Sequence, residues 1–444
     1  MLIAELERSQ IRGDDFAGAE LILTELRRSF RASTVAEDRI AEAARLFFQP
    51  LEPFLVDDGP EHQHRGRIAR SAVEPIWQWI SKTVMPEEAK IFAEHVDQAL
   101  LANEPGDADK LARAFQDLAV ERIKAALATN DDKSRRRVLA QIGTPRALED
   151  INAVLGVLSV RDDLAALGEK LSGHIKVLAG PQLESVKAIL DAQTRTKPEL
   201  ILYALILLMS RLAAPWQLVR VAKRASGSES TTRIAETPYS VAVTIAMAEI
   251  ERVVGELASD LKSRRSIAVS AMLKDVHGAL RGLRSELDMA VDTPWGRRLA
   301  DVRSTISRVL TAEIEMMPGR VRRLIRPMPV KEIVPGSVLD PEEVAEAEAL
   351  IGFVTACRSY AGELAINEVT QRTFTDLQLQ LDTGTRTLIE SMRMAGDADR
   401  PYRQSQVDAA VRFCAKVFGK DYASLLSKAA EVAASRSESK PAIA

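Results

Sequence analysis

The chain has 444 residues, 46% hydrophobic and 28% charged, with a net charge of −3. These values fit a folded chain able to bury more than one core, and they exclude an overall bias towards polyanions. The two cysteines, Cys357 and Cys414, lie far apart and exclude a disulfide framework or a CxxC metal motif.

Aromatic residues make up only 5% of the chain while Ala and Leu are plentiful, which favours close-packed helices over sheets. The opening MLIAELERSQ carries Glu5 and Glu7 and lacks a basic segment followed by an apolar run, so no signal peptide is expected and a cytoplasmic setting is the default. Residues 1–48 read as two or three helices. Phe16, Ala19, Leu23 and Leu26 form one stripe, and Val35, Ile40, Ala43, Ala44 and Phe47 the next. Three prolines and a glycine in 49–60 (QPLEPFLVDDGP) predict a packed loop. Helices are predicted near 60–84, 87–101 and 108–128, with a turn at 103–107. Further helices follow near 145–158, 161–177 and 181–192. On a helix, Trp77 and Trp79 cannot share one narrow face, so one is expected in the core and the other against a neighbouring helix or a partner.

The most apolar stretch is 197–225 (KPELILYALILLMSRLAAPWQLVRVAKRA). Pro198 and Glu199 suit a first helical turn, and ten apolar or Tyr residues follow. Ten residues make about 15 Å of helix, half of what a membrane span needs, and Arg211 and Pro215 follow directly. A buried packing axis is therefore expected, with Leu202, Leu205, Leu208 and Leu212 covered by helices from both sides of the chain.

Residues 226–238 are polar and read as a linker or mobile loop. Longer helices are expected at 239–257, 266–291 and 294–317. The last of these opens on Thr293 followed by Pro294 and carries Trp295, Leu299, Val302, Ile306, Val309 and Met317 at helical spacing. Pro318 and Gly319 interrupt it, 320–326 adds two turns, and 327–340 (PMPVKEIVPGSVLD) reads as a second linker. Asp340, Pro341, Glu342 and Glu343 signal a helix start. Beyond it, helices are expected at 342–372, 373–395, 401–418 and 422–433, before a polar tail. The expected fold is all-α, an elongated multihelical bundle or irregular α-solenoid with longer packed helices in its second half. Its sections are 1–225, a basic long-helix region at 239–326, a C-terminal helical section at 341–432 and a disordered tail at 433–444.

Charge is distributed unevenly. Residues 262–331 hold 15 Lys/Arg against 7 Asp/Glu, while both flanks are acidic. Within this region Arg297 and Arg298 adjoin Trp295, and Arg320, Arg322, Arg323 and Arg326 surround the apolar Val321, Leu324 and Ile325. Arginine forks suit carboxylates and phosphates alike. The cluster can serve an acidic protein partner, an anionic membrane or a nucleic acid, or pair with acidic parts of its own chain or a second copy. A solvated helix face with internal salt bridges is the plainer reading. Asp57, Asp58, Glu61, His62 and His64 are the one concentration resembling a metal site, but a helix start there would turn the two histidines about 200° apart. No zinc-hydrolase, nucleophile-elbow or phosphate-loop motif is present, and Glu74 beside Pro75 is better read as a surface pair. The preferred reading is a protein-interaction or scaffold protein with no cofactor and no metal. Peripheral binding of membrane or nucleic acid through 294–331 comes second, and an enzyme with a dispersed pocket third.

Overall fold

The computed structural model describes residues 36–57, 66–128, 132–262 and 266–438. His62, His64 and the stripe from Phe16 to Leu26 lie outside them. The fold is all-α. In chain order the helices are α1 (Ala36–Phe48), α2 (Arg70–Trp79), α3 (Pro86–Leu101), α4 (Pro105–Leu127), α5 (Asp132–Ile142), α6 (Pro145–Ser159), α7 (Arg161–Lys170), α8 (Gly180–Thr194) and α9 (Leu200–Ser210). There follow α10 (Val219–Ser226), α11 (Thr231–Ala235), α12 (Ser240–Lys262), α13 (Ser266–Glu286), α14 (Pro294–Ile325), α15 (Pro341–Tyr360), α16 (Asn367–Arg393), α17 (Arg400–Phe418) and α18 (Lys420–Glu438). Among the described residues the only strands are β1 (Leu55–Val56) and β2 (Ile68–Ala69), a two-residue parallel pair. No helix among them is long and apolar enough to cross a membrane.

The chain forms two compact units. The first contains the described residues up to Arg252 together with Gly282–Trp295, and the second contains Val253–Arg281 and the described residues from Gly296 onward. The divisions fall inside α12 and α13 and in the first turn of α14. Residues 226–238 belong to the first unit and carry α11, where Thr231 and Ile234 are buried.

In the first unit, the helix expected over 60–84 begins only at Arg70 among the described residues, and Ile68–Ala69 before it are extended as β2, while 58–65 lie outside them. The Ala69 N–H donates to the buried Asp150 carboxylate at 2.7 Å, and Arg67 Nη1 donates to Pro53 O at 2.9 Å, which together hold this segment extended until α2 begins. Trp77 enters an aromatic cluster with Phe47, Phe48 and Phe115, and Phe92 stacks on Phe115 at 4.4 Å. Trp79 is also buried, and its indole N–H donates to Gln141 on α5 at 3.3 Å. Helix α9 is the expected packing axis: Leu205, Leu208 and Leu212 are buried and Leu202 is half-buried. Its cover departs from expectation. It comes mainly from the preceding chain, through the Gln49–Phe54 turn, α7 and α8, while the following chain adds the Pro215–Leu218 turn. The apolar helix ends at Ser210 with Arg211 as its cap, and Pro215 opens the 3-10 turn that packs back on it.

In the second unit, α14 runs unbroken through Pro318, correcting the predicted interruption. Pro318 forfeits one backbone hydrogen bond, but Met317 and Val321 on either side are fully buried and hold the helix in register. Beyond Ile306 the buried stripe passes through Leu310 and Ile314 rather than Val309, which is half-exposed. The break predicted near residue 372 lies instead at 361–366, where Ala365 takes a left-handed conformation at φ 55°. Helix α18 continues to Glu438, five residues past the expected helix end at 433 and into the predicted disordered tail. Both cysteines are buried.

Candidate functional site

The six predicted arginines all lie on α14 or just beyond it, but they do not form one site. Arg298 and Arg320 are 22 residues apart on a continuous helix, about 33 Å at 1.5 Å per residue. Arg297 and Arg298 therefore belong elsewhere, and both already hold partners within the chain. The remaining four gather at the C-terminal end of α14 in the second unit. Val321, Leu324 and Ile325 between them are buried, so the apolar face of this segment points into the unit. The methyl tip of Ile325 sits against Gly384 of α16, where an added Cβ would stand 2.8 Å from it.

Each of the four arginines has a different environment. Arg320 faces Glu346 at 3.6 Å and Arg323 faces Glu343 at 3.4 Å, so part of the positive charge pairs with α15 of the same chain. Arg322 donates to the side-chain oxygen of Gln380 at 2.8 Å, and the Gln380 amide donates in turn to Pro318 O at 3.1 Å. Arg326 is exposed and forms no ion pair among the described residues. Buried Gln406 of α17 fixes the helix end, donating to Leu324 O and Arg326 O, both at 3.0 Å. These bonds satisfy carbonyls that a helix C-terminus otherwise leaves open.

Residues 327–340, which the sequence presents as a linker, form a strap held against the unit. Ile333 and Leu339 are buried. The Gly336 N–H donates to Ala398 O at 3.2 Å, and the Leu339 N–H donates to Ser405 Oγ at 2.9 Å. Gly336 is suited to its place by a left-handed φ of 76°. Asp340 then caps α15, accepting from the Glu342 N–H at 2.9 Å. With the strap fixed in this way, Val330, Val334 and Val338 point outward at 61%, 68% and 58% exposure. Met394, four residues before Ala398, is 80% exposed. Sequence reasoning passed over these side chains. The four-residue spacing of the valines was visible, but Pro327, Pro329, Pro335 and Gly336 between and around them masked it as loop composition.

The site is thus a surface. Residues 316–331 carry five basic and no acidic residues and include Val330, and the exposed Glu332 separates them from Val334 and Val338. Next to Glu343, Tyr402 has its hydroxyl pKa pushed up, by partial burial first and by the Glu343 charge second. Glu74 is an exposed partner of Gln78 at 2.8 Å. No group of three or more His, Cys, Asp or Glu among the described residues is placed to hold a metal ion. Comparisons of the chain with protein-family models, curated proteins and solved structures find no match.

Proposed function

We propose that this protein is an interaction protein that binds an acidic protein segment through its second unit. Val330, Val334 and Val338 would be the apolar anchors, and Arg322, Arg323, Arg326 and Lys331 would select for negative charge. The observation that carries this reading is the exposure of three valines on a strap whose backbone is already fixed, beside a basic run free of acids. Exposed apolar side chains on an ordered backbone can be buried by a partner with little further ordering cost. The arginine pairs are suited to exchange. Arg323 and Glu343 are both largely exposed, and pairs of this kind contribute about 0–1 kcal/mol, so a partner carboxylate can replace Glu343 at small cost.

The other uses of the same arginines have less support. A segment lying on a membrane would need the face formed by Val321, Leu324 and Ile325, which is buried. Nucleic-acid binding would engage the guanidinium groups but leave the valines idle.

The reading is tested with labelled peptides alternating Leu or Phe with Asp or Glu, and matched peptides carrying Lys in place of the acids. The wild type is expected to bind only the acidic set. Replacing Arg322, Arg323 and Arg326 with Glu, or Val334 and Val338 with Asp, should weaken that binding about tenfold or more. Equal binding of both peptide sets, or unchanged affinity in both variants, would overturn the proposal.

A further inference from the structure

The first unit contains a separate feature, independent of the surface described above. A cavity of about 560 Å³ lies between the Gln49–Phe54 turn, α4, α7 and the end of α9. That volume lies in the range occupied by small-molecule sites. Phe54, Leu164, Leu171 and Leu207 contribute apolar wall. Three arginines also line it: Arg113 is exposed, whereas Arg161 and Arg211 are only 9% and 8% exposed, and arginines are rarely so buried unless paired.

The partners of the two buried arginines differ in one respect that matters. Arg161 is neutralised: its Nη2 reaches Asp117 Oδ1 at 2.7 Å and its Nη1 donates to Leu158 O at 2.8 Å. Arg211 has no carboxylate partner among the described residues. Its Nη1 donates to two carbonyls at the end of α7, Gly168 O and Leu171 O, both at 2.7 Å. Those contacts place a cation at the negative end of a helix, which offsets part of its desolvation. Nε is sealed and unpartnered, and burial alone pushes the pKa of the group down. Nη2 is the one nitrogen of this guanidinium with neither a hydrogen bond nor complete burial. Gln116, 2% exposed on the same wall, also keeps an unpartnered buried atom, Oε1.

The remaining lining residues narrow the chemistry of a ligand. Asp109, Asp162 and Glu169 also border the cavity, and all three are exposed. Asp162 faces Arg113 at 4.0 Å, and Asp109 and Glu169 keep the open side net negative, which disfavours a multiply charged phosphate, whereas one buried unpaired cation can balance a single negative charge. Apolar walls would accept the rest of such a molecule. We propose that this cavity binds an amphipathic organic monocarboxylate, its carboxylate meeting Arg211 Nη2 and its apolar body lying against Phe54, Leu164, Leu171 and Leu207.

Calorimetric titration of the full chain with octanoate, 1-octanol and inorganic phosphate tests this. Octanoate is expected to bind saturably at one site, 1-octanol about tenfold or more weakly, and phosphate not at all. Arg211→Gln should abolish the preference for octanoate over octanol. Because Arg211 also caps α7, that variant can lose its fold, and Ala165→Trp provides a second route. Ala165 is an exposed residue on the cavity wall, and an indole there should fill the space and weaken octanoate about tenfold or more while the helical circular dichroism is unchanged. The proposal is overturned if octanoate shows no saturable binding, if octanol binds as tightly, if phosphate displaces octanoate, or if folded Ala165→Trp binds as the wild type does.

Discussion

Arg323 of α14 faces Glu343 of α15 at 3.4 Å, and both side chains remain about half or more exposed. Long, solvated geometry of this kind marks a loose tether. Glu343→Gln, combined with Glu346→Gln to release Arg320, should change unfolding free energy by less than about 1 kcal/mol. The same double variant should bind acidic peptides more tightly, because no internal carboxylate then competes. Urea unfolding and peptide titration on one preparation check both outcomes.

The buried pair Arg403 and Asp399 should behave in the opposite way. They are 7% and 4% exposed, and the Gly396 N–H also donates to Asp399 at 2.8 Å. Burial opposes ionisation of Asp399, but the hydrogen bonds from Arg403 and Gly396 outweigh it and hold the pKa below the ordinary carboxylate range. A lowered carboxylate pKa stabilises the fold above the unfolded value of about 3.9, and that stabilisation is lost as pH falls through the lower folded value. Asp399→Asn should therefore cost about 3 kcal/mol at neutral pH. The gap to the wild type should narrow below about pH 4, as measured by urea unfolding across a pH series.

Trp216 lies over Gly282 so closely that a Cβ there would stand 2.4 Å from the indole. Arg220 sits 5.1 Å from the centre of the same ring and pairs with Glu286 at 2.8 Å, which leaves the indole little freedom to retreat. Gly282→Ala should destabilise the first unit by about 2 kcal/mol despite its gain in helix propensity. Gly278→Ala on the same helix meets nothing within 4 Å and should be stabilising by about 0.5–1 kcal/mol. Thermal melts of the two variants should move in opposite directions.

Burial pushes the Cys357 thiol up to about 12 and raises that of Cys414 as well. Neither should react with a disulfide reagent in the native protein at pH 8, whereas both should react in denaturant. Rapid native labelling of either residue would contradict their burial.

Where chemistry was local, the sequence was readable. Asp340 before Pro341 does cap a helix, and the apolar run through Leu205 and Leu208 is buried. Where a distant partner decides the outcome, it was not. Pro318 reads as a helix break until the burial of Met317 and Val321 is known. The arginine types and positions on α14 were visible, but their division into two groups depends on an unbroken helix, and the pairing of Arg320 and Arg323 depends on how α15 folds back. Arg211 looks like the polar end of an apolar helix, and nothing near it in sequence shows that Gly168 and Leu171, some 40 residues earlier, turn their carbonyls towards it. The strap was concealed because prolines and a glycine are shared by mobile linkers and anchored ones.

The most direct test of acidic-partner recognition by the second unit is a charge swap. Peptide affinity is measured for the wild type and for Arg323→Glu with Arg326→Glu, each against an acidic apolar peptide and its lysine counterpart. Reversal of the preference, with the lysine peptide favoured by the variant and the valine-substituted strap binding neither, is the predicted result. A variant that still prefers the acidic peptide as strongly as the wild type would contradict it.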